Sequence, residues 1–157
     1  MARIHRIVLN SWLAVALLPL LPTGCVLPSS QDHSEEIPIG ALLPFTGDVA
    51  ATGTNIERAQ TLAFENINQA GGVAQKSLWL DARDTHSQTR RGLEMARELL
   101  AVPGMQALLG PEEEDLALSM VPLIKDAQVI QITGGGTSPI FSAVDDNRFW
   151  YRTCPSS

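Results

Sequence analysis

From residue 37 onward, short apolar runs alternate with longer stretches of helical periodicity, and that alternation confines the chain to few folds. Ile37 to Leu43 reads as a buried strand, with Pro38 tolerable only near its start. Pro44-Phe45-Thr46-Gly47 turns the chain. From about Thr54 to Ala70, Ile56, Ala59, Leu62, Ala63 and Ile67 recur at helical spacing and predict one core-facing side. Gly71-Gly72 ends that helix, because glycine takes a left-handed conformation without a Cβ clash. Ser77 to Asp81 alternates as a second strand. Gln88 to Ala101 reads as a second helix, with Leu93, Ala96, Leu99 and Leu100 inward. Met105 to Leu109 predicts a third strand. Glu113 to Ala127 predicts a third helix, which Pro122 should kink or divide. Val129 to Thr133 is a fourth strand. A helical turn over Pro139 to Ala143 leads to a fifth, Phe149 to Thr153.

Strands that alternate with helices imply parallel βαβ units, because parallel neighbours need a crossover. Right-handed crossovers place helices on both faces. The expected fold is therefore α/β, an open parallel sheet of about five strands with helices on both faces. Ligands in such sheets bind beyond the carboxyl ends of the strands. The loops that matter are then 44–53, 82–88, 110–115 and 133–139.

The first 24 residues read as an address rather than as part of the fold. Arg3 and Arg6 precede an apolar run from Ile7 to Leu21, which Pro19 and Pro22 end. A charged start, a short apolar core and small residues make a secretory signal. The run is shorter than the ~20 residues that span a bilayer. Thr23-Gly24-Cys25 resembles a bacterial lipobox, although Pro22 stands where that motif prefers Leu. The resemblance implies a lipidated Cys25 and a membrane anchor; an ordinary signal peptide with an incidental cysteine is the alternative. Residues 26–36 are polar and aperiodic and read as a tether. Removing residues 1–24 takes away Arg3 and Arg6 and no acid, so the formal charge moves from −6 to −8.

That acidity argues against nucleic acid as a partner, since phosphate contacts need clustered Lys and Arg. Two cysteines cannot build a paired-CxxC zinc site. No Ser/His/Asp or Cys/His set stands out, so no catalytic residues, metal or cofactor are assigned.

Several loops carry polar chemistry, each with a plainer alternative. Pro44 to Gly47 and Gly53 flank a helix start whose free N–H groups favour an anion, or simply form a turn. Thr133-Gly134-Gly135-Gly136-Thr137-Ser138 lets backbone approach a ligand, or is a flexible turn. Glu112-Glu113-Glu114-Asp115 offsets a helix dipole, or meets a cationic ligand. Asp84-Thr85-His86 could offer a metal two ligands, or be a solvated turn. Cys154 is unpaired once Cys25 carries lipid, and a lone thiol in an oxidising compartment is either buried or liable to oxidation; its place beside the end of the last strand suggests partial burial.

Six local patterns then fall in order. Ile39 to Gly47 resembles the opening strand and loop of type I periplasmic binding proteins of the branched-chain amino-acid (leucine-binding) family. Ile67 to Val73 is similar to that family's Asn-x-x-Gly-Gly helix ending, and Leu80 to Asp84 to its second strand. Leu109-Gly110-Pro111 resembles its third-strand Gly-Pro. Thr133 to Pro139 resembles its fourth-strand loop, and Phe149 to Pro155 its Arg-containing fifth strand. The similarity covers residues 37–157, the family's N-terminal lobe, with the chain stopping about where the family crosses to a second lobe.

The resemblance implies a non-enzymatic substrate-binding lipoprotein of an ABC-type uptake system. It would serve amino acids or related small polar solutes, on the extracytoplasmic face of a bacterial envelope, with a permease as partner. By position, Gly136 would offer backbone contacts and Thr137 a hydroxyl. Glu114 stands where the family usually has a serine, and Thr52 where an aromatic is common. The candidate ligand residues are therefore Thr46, Thr52, Glu114, Gly136 and Thr137. A carboxylate at 114 repels a ligand carboxylate, which points toward a cationic or hydroxyl-rich ligand, or toward none. The alternative is an envelope lipoprotein that uses one such lobe for protein contact or ligand sensing.

Overall fold

Strand β1 (Ile37–Leu43) is followed by helix α1 (Ala50–Gln69), β2 (Leu78–Asp84) and α2 (Thr89–Leu100). Then come β3 (Ala107–Leu109), α3 (Glu114–Ala127), β4 (Ile130–Thr133), a 3-10 turn (Pro139–Ser142) and β5 (Trp150–Arg152). The computed structural model describes residues 35–146 and 148–157. The signal, Cys25 and most of the tether lie outside the described residues.

Among the described residues the strands pair in parallel, in the order β2-β1-β3-β4-β5. The chain steps from β1 to β2 in one direction and then returns past β1 to β3. Right-handed crossovers therefore put α1 on one face and α2 with α3 on the other. Leu42, Leu108 and Trp150 reach the α2–α3 side, where they join a core with Leu99, Leu116 and Ile124. Their alternates face the other way. On β3, β4 and β5 that second face is apolar and partly open: Ile130 is 39% and Tyr151 49% exposed.

The strand positions follow the apolar runs, with one extension. β2 continues to Asp84 because its polar residues pair along the strand. Arg83 Nε donates to Asp81 Oδ1 at 2.7 Å. The Gly71-Gly72 stop is geometrically complete. Gly71 has φ of 103°, its N–H bonds to Asn68 O at 3.0 Å, and Gly72 N–H bonds to Ile67 O at 2.9 Å.

Two expectations need correction. The face of α1 predicted to be inward is largely solvent-facing: Leu62 is 58% exposed, and Ala59, Ala63 and Ile67 are exposed too. The side turned toward the sheet carries Gly53, Ile56, Gln60, Phe64 and Asn68. Asn68 belongs there because its amide grips the start of β2. Its Nδ2 donates to Leu78 O at 2.9 Å, and its Oδ1 accepts from Leu78 N–H at 2.7 Å. The second correction is Pro122, which does not divide α3. Pro122 faces solvent, where water can satisfy the carbonyl it frees, while Met120, Val121 and Ile124 anchor the helix.

Candidate functional site

The loops after β1, β2, β3 and β4 meet at the carboxyl end of the sheet, where β1 sits between strands reached in opposite directions. Buried polar side chains fix their mutual positions. Within β4, Gln131 Nε2 donates to Gly110 O at 3.1 Å, and the Thr133 hydroxyl donates to Pro111 O. Gly110-Pro111 is a cis peptide. These contacts hold the β3–α3 loop against β4 and so aim the three glutamates that follow.

Those glutamates diverge. Glu112 accepts from the Gly134 N–H. Glu113 Oε1 accepts from the hydroxyl of fully buried Thr85, at 2.9 Å. Glu114 Oε1 accepts from the Thr137 hydroxyl at 3.0 Å and from the Ser138 N–H at 2.9 Å. Consecutive carboxylates thus tie α3 to the β4 loop, the β2 loop and the β4 loop again. Their titration splits accordingly. Burial pushes the Glu112 carboxyl above its ordinary range, against the pull of Gly134. The Ser138 N–H, followed by the Thr137 hydroxyl, holds the exposed Glu114 carboxyl below it.

Arg152, at the end of β5, braces the same loop from behind. Its Nη1 donates to Gly136 O at 2.9 Å and to Ser138 O at 3.2 Å, and its Nη2 donates to Ser142 Oγ at 2.9 Å. Gly136 itself is buried at φ of 76°, and a Cβ there would lie 3.0 Å from the Trp150 ring. Only glycine suits that turn.

Of the candidate residues, Glu114, Gly136 and Thr137 form one group. Thr46 belongs to another. Its hydroxyl donates to Asp84 Oδ2 at 2.7 Å and sits 2.8 Å from His86 Nδ1. Asp84 also accepts from the N–H groups of Phe45, Thr46 and His86, at 2.9, 3.2 and 2.8 Å. Its oxygens are thereby occupied in joining the β1 and β2 loops, which favours the turn reading of Asp84-Thr85-His86 over a metal site. Thr52 is exposed on the first turn of α1. A cavity of about 370 Å³ opens beside the loops, lined by Ile56, Gln60, Leu109, Glu112, Ile132 and Thr153. A larger one, about 740 Å³, lies at the opposite ends of the strands, between Ile37, Pro38, Leu78 and Pro103. It is remote from the polar loops. Arg152 has no role of its own in local sequence patterns beyond the family resemblance; a cation closing a short strand is the signal for a loop brace. Gln131 and Thr133 were similarly marked only by being polar within an apolar run.

Known proteins with this architecture share this arrangement of elements. The "Leu/Ile/Val-binding protein homolog 3" of Brucella melitensis is 28% identical over 120 residues, 76% of this chain and 32% of that protein. The "Leu/Ile/Val-binding protein BraC3" of Rhizobium johnstonii is 26% identical over 104 residues, 66% of this chain and 28% of that one. The chain thus spans about a third of the length of the curated relatives it matches. Among solved structures, a substrate-binding protein of an ABC transporter from Desulfitobacterium hafniense, in complex with Leu, superposes with a TM-score of 0.68 at 26% identity. That match covers 78% of this chain and 35% of the other. The branched-chain amino acid transporter substrate binding protein LivJ from Streptococcus pneumoniae, in complex with isoleucine, shares the fold at a TM-score of 0.70 and 23% identity, covering 77% of this chain and 34% of LivJ. Residues 36–155 match the family model described as periplasmic binding protein, and on that match the chain belongs to the periplasmic binding protein family.

Proposed function

We propose that the chain is the N-terminal lobe of a substrate-binding lipoprotein that serves an ABC-type uptake system for amino acids or related small polar solutes. The observation that carries this reading is the convergence of Thr137, Ser138 and Glu114 at the carboxyl end of a parallel sheet. Glu114, exposed at the start of α3, presents an acceptor there beside a loop that Arg152 braces. Such a site binds without converting, and the family as a whole is one of solute binders. In this reading residues 1–24 direct export, Cys25 carries lipid, residues 26–36 tether the lobe to the membrane, and a permease receives the solute.

Thermal shift of the full chain with leucine, isoleucine, simple amines and polyols tests the binding. Stabilisation by at least one of them is expected. A flat response to all of them overturns the reading for this lobe. Labelling with a palmitate analogue in a bacterial host tests the anchor separately. Label that persists in Cys25→Ser would sink the lipid assignment.

A further inference from the structure

We infer that the Glu114 carboxylate is a built-in occupant of the donor pair formed by the Thr137 hydroxyl and the Ser138 N–H, so that the solute this site takes brings hydrogen-bond donors, as an amine or polyol does, and no carboxylate there. The inference rests on the proposed function and narrows its substrate class. The Thr137 hydroxyl and the Ser138 N–H both point at one oxygen, Glu114 Oε1. A hydroxyl and an amide each have a single hydrogen to give. Both hydrogens are therefore committed inside the protein.

The nearby cation is committed too. Arg152 directs Nη1 at two loop carbonyls and Nη2 at Ser142 Oγ. It supports the loop from the far side and attracts Glu114 electrostatically. The first turn of α3 adds its own favourable field for a negative charge.

A ligand carboxylate would have to displace this internal one. Groups joined to the same rigid framework compete at an effective concentration of about millimolar or more. The incoming anion would also meet the displaced carboxylate at close range. An ammonium or hydroxyl group meets neither obstacle, because Glu114 is exposed and can accept from it.

The test uses amide NMR on the full chain, with acetate as the carboxylate probe and isobutylamine and glycerol as donor probes. In the wild type, the Ser138 amide should titrate with the Glu114 carboxyl, below the ordinary carboxylate range, and the step should vanish in Glu114→Gln. Acetate should leave Thr137 and Ser138 unmoved in the wild type. In Glu114→Ser it should shift both saturably, with affinity raised about tenfold or more. A Ser138 amide blind to Glu114 titration overturns the inference, and this arm needs no variant that might misfold. Equal acetate binding by wild type and Glu114→Ser also overturns it. Wild type that binds leucine through Ser138 overturns it while leaving the solute-binding reading intact. Acetate bound by Glu114→Ser, with no amine, polyol or amino acid bound by wild type, upholds the occupant and removes the solute-binding reading.

Discussion

The Thr46 hydroxyl donates to the Asp84 carboxylate at 2.7 Å, joining the ends of β1 and β2 across a sequence separation of 38. Three backbone N–H groups converge on the same carboxylate. Asp84→Ala removes every acceptor at once and should cost about 1.5–3 kcal/mol, the range for hydrogen bonds to a charged group. Urea unfolding measures it. Asp84→Asn should cost less, since one amide oxygen still accepts. Burial pushes the Asp84 carboxyl up, but the bonds from Thr46, His86 and Phe45 outweigh it and hold the group below its ordinary value. Its contribution is therefore present above the ordinary aspartate range and lost as pH falls through the depressed value. An equal cost for Asp84→Ala at pH 7 and in strong acid would refute this.

Glu112 should behave in the opposite sense. Its folded carboxyl titrates above the ordinary glutamate range because burial disfavours the charge. Stability from the protonated form is complete below that range and is lost as pH rises through the raised value. Glu112→Gln should thus unfold at higher temperature than wild type at pH 7, with the two melting together near pH 3. Calorimetry at both pH values decides it.

Gly53 and Gly71 should both resist alanine, for different reasons. A Cβ on Gly53 would lie 2.2 Å from the Pro44 carbonyl oxygen, where backbone cannot yield. Gly53→Ala should cost about 1–3 kcal/mol by overpacking. A Cβ on Gly71 meets nothing within 4 Å, but its φ of 103° is unfavourable for alanine. Gly71→Ala should cost about 1–2 kcal/mol through the backbone alone. Denaturant midpoints of the two variants provide the check, and a neutral Gly53→Ala would contradict the close approach of α1 to β1.

The open face of β4 and β5 should be adhesive in the isolated chain. Ile130 and Tyr151 expose apolar surface side by side with Ile132. Replacing both with threonine, which keeps strand propensity, should reduce dye binding by anilinonaphthalene sulfonate and concentration-dependent association. Stability should change by about 0.5 kcal/mol or less per site. Sedimentation that is unchanged by the pair of substitutions would show that this face does not drive association.

Much of the fold was readable because burial follows apolar runs. The five strands and three helices fall within a few residues of the sequence expectation, apart from the longer β2 and the earlier start of α1. The misread side of α1 has a specific cause. Periodicity weighs Leu62 and Ile67 as core, whereas Gln60 and Asn68 turn inward, and Asn68 does so because Leu78 needs its amide. Hydrogen-bond demand from a distant strand leaves no trace in local spacing. The site was legible to the level of loops. That Glu114 meets Thr137, 23 residues away, while Thr46 turns aside to Asp84, depends on tertiary contacts that spacing does not encode.

The order β2-β1-β3-β4-β5 places the first strand in the interior of the sheet. A chain that emerges N-terminus first on the far side of a membrane therefore presents its template first. β2 can dock on one side of β1 as soon as α1 has emerged, and β3, β4 and β5 then add one after another on the other side. Each new strand finds its partner already in place, without waiting for residues still to emerge. Assembly can keep pace with emergence, so unpaired strand edges stay exposed only briefly.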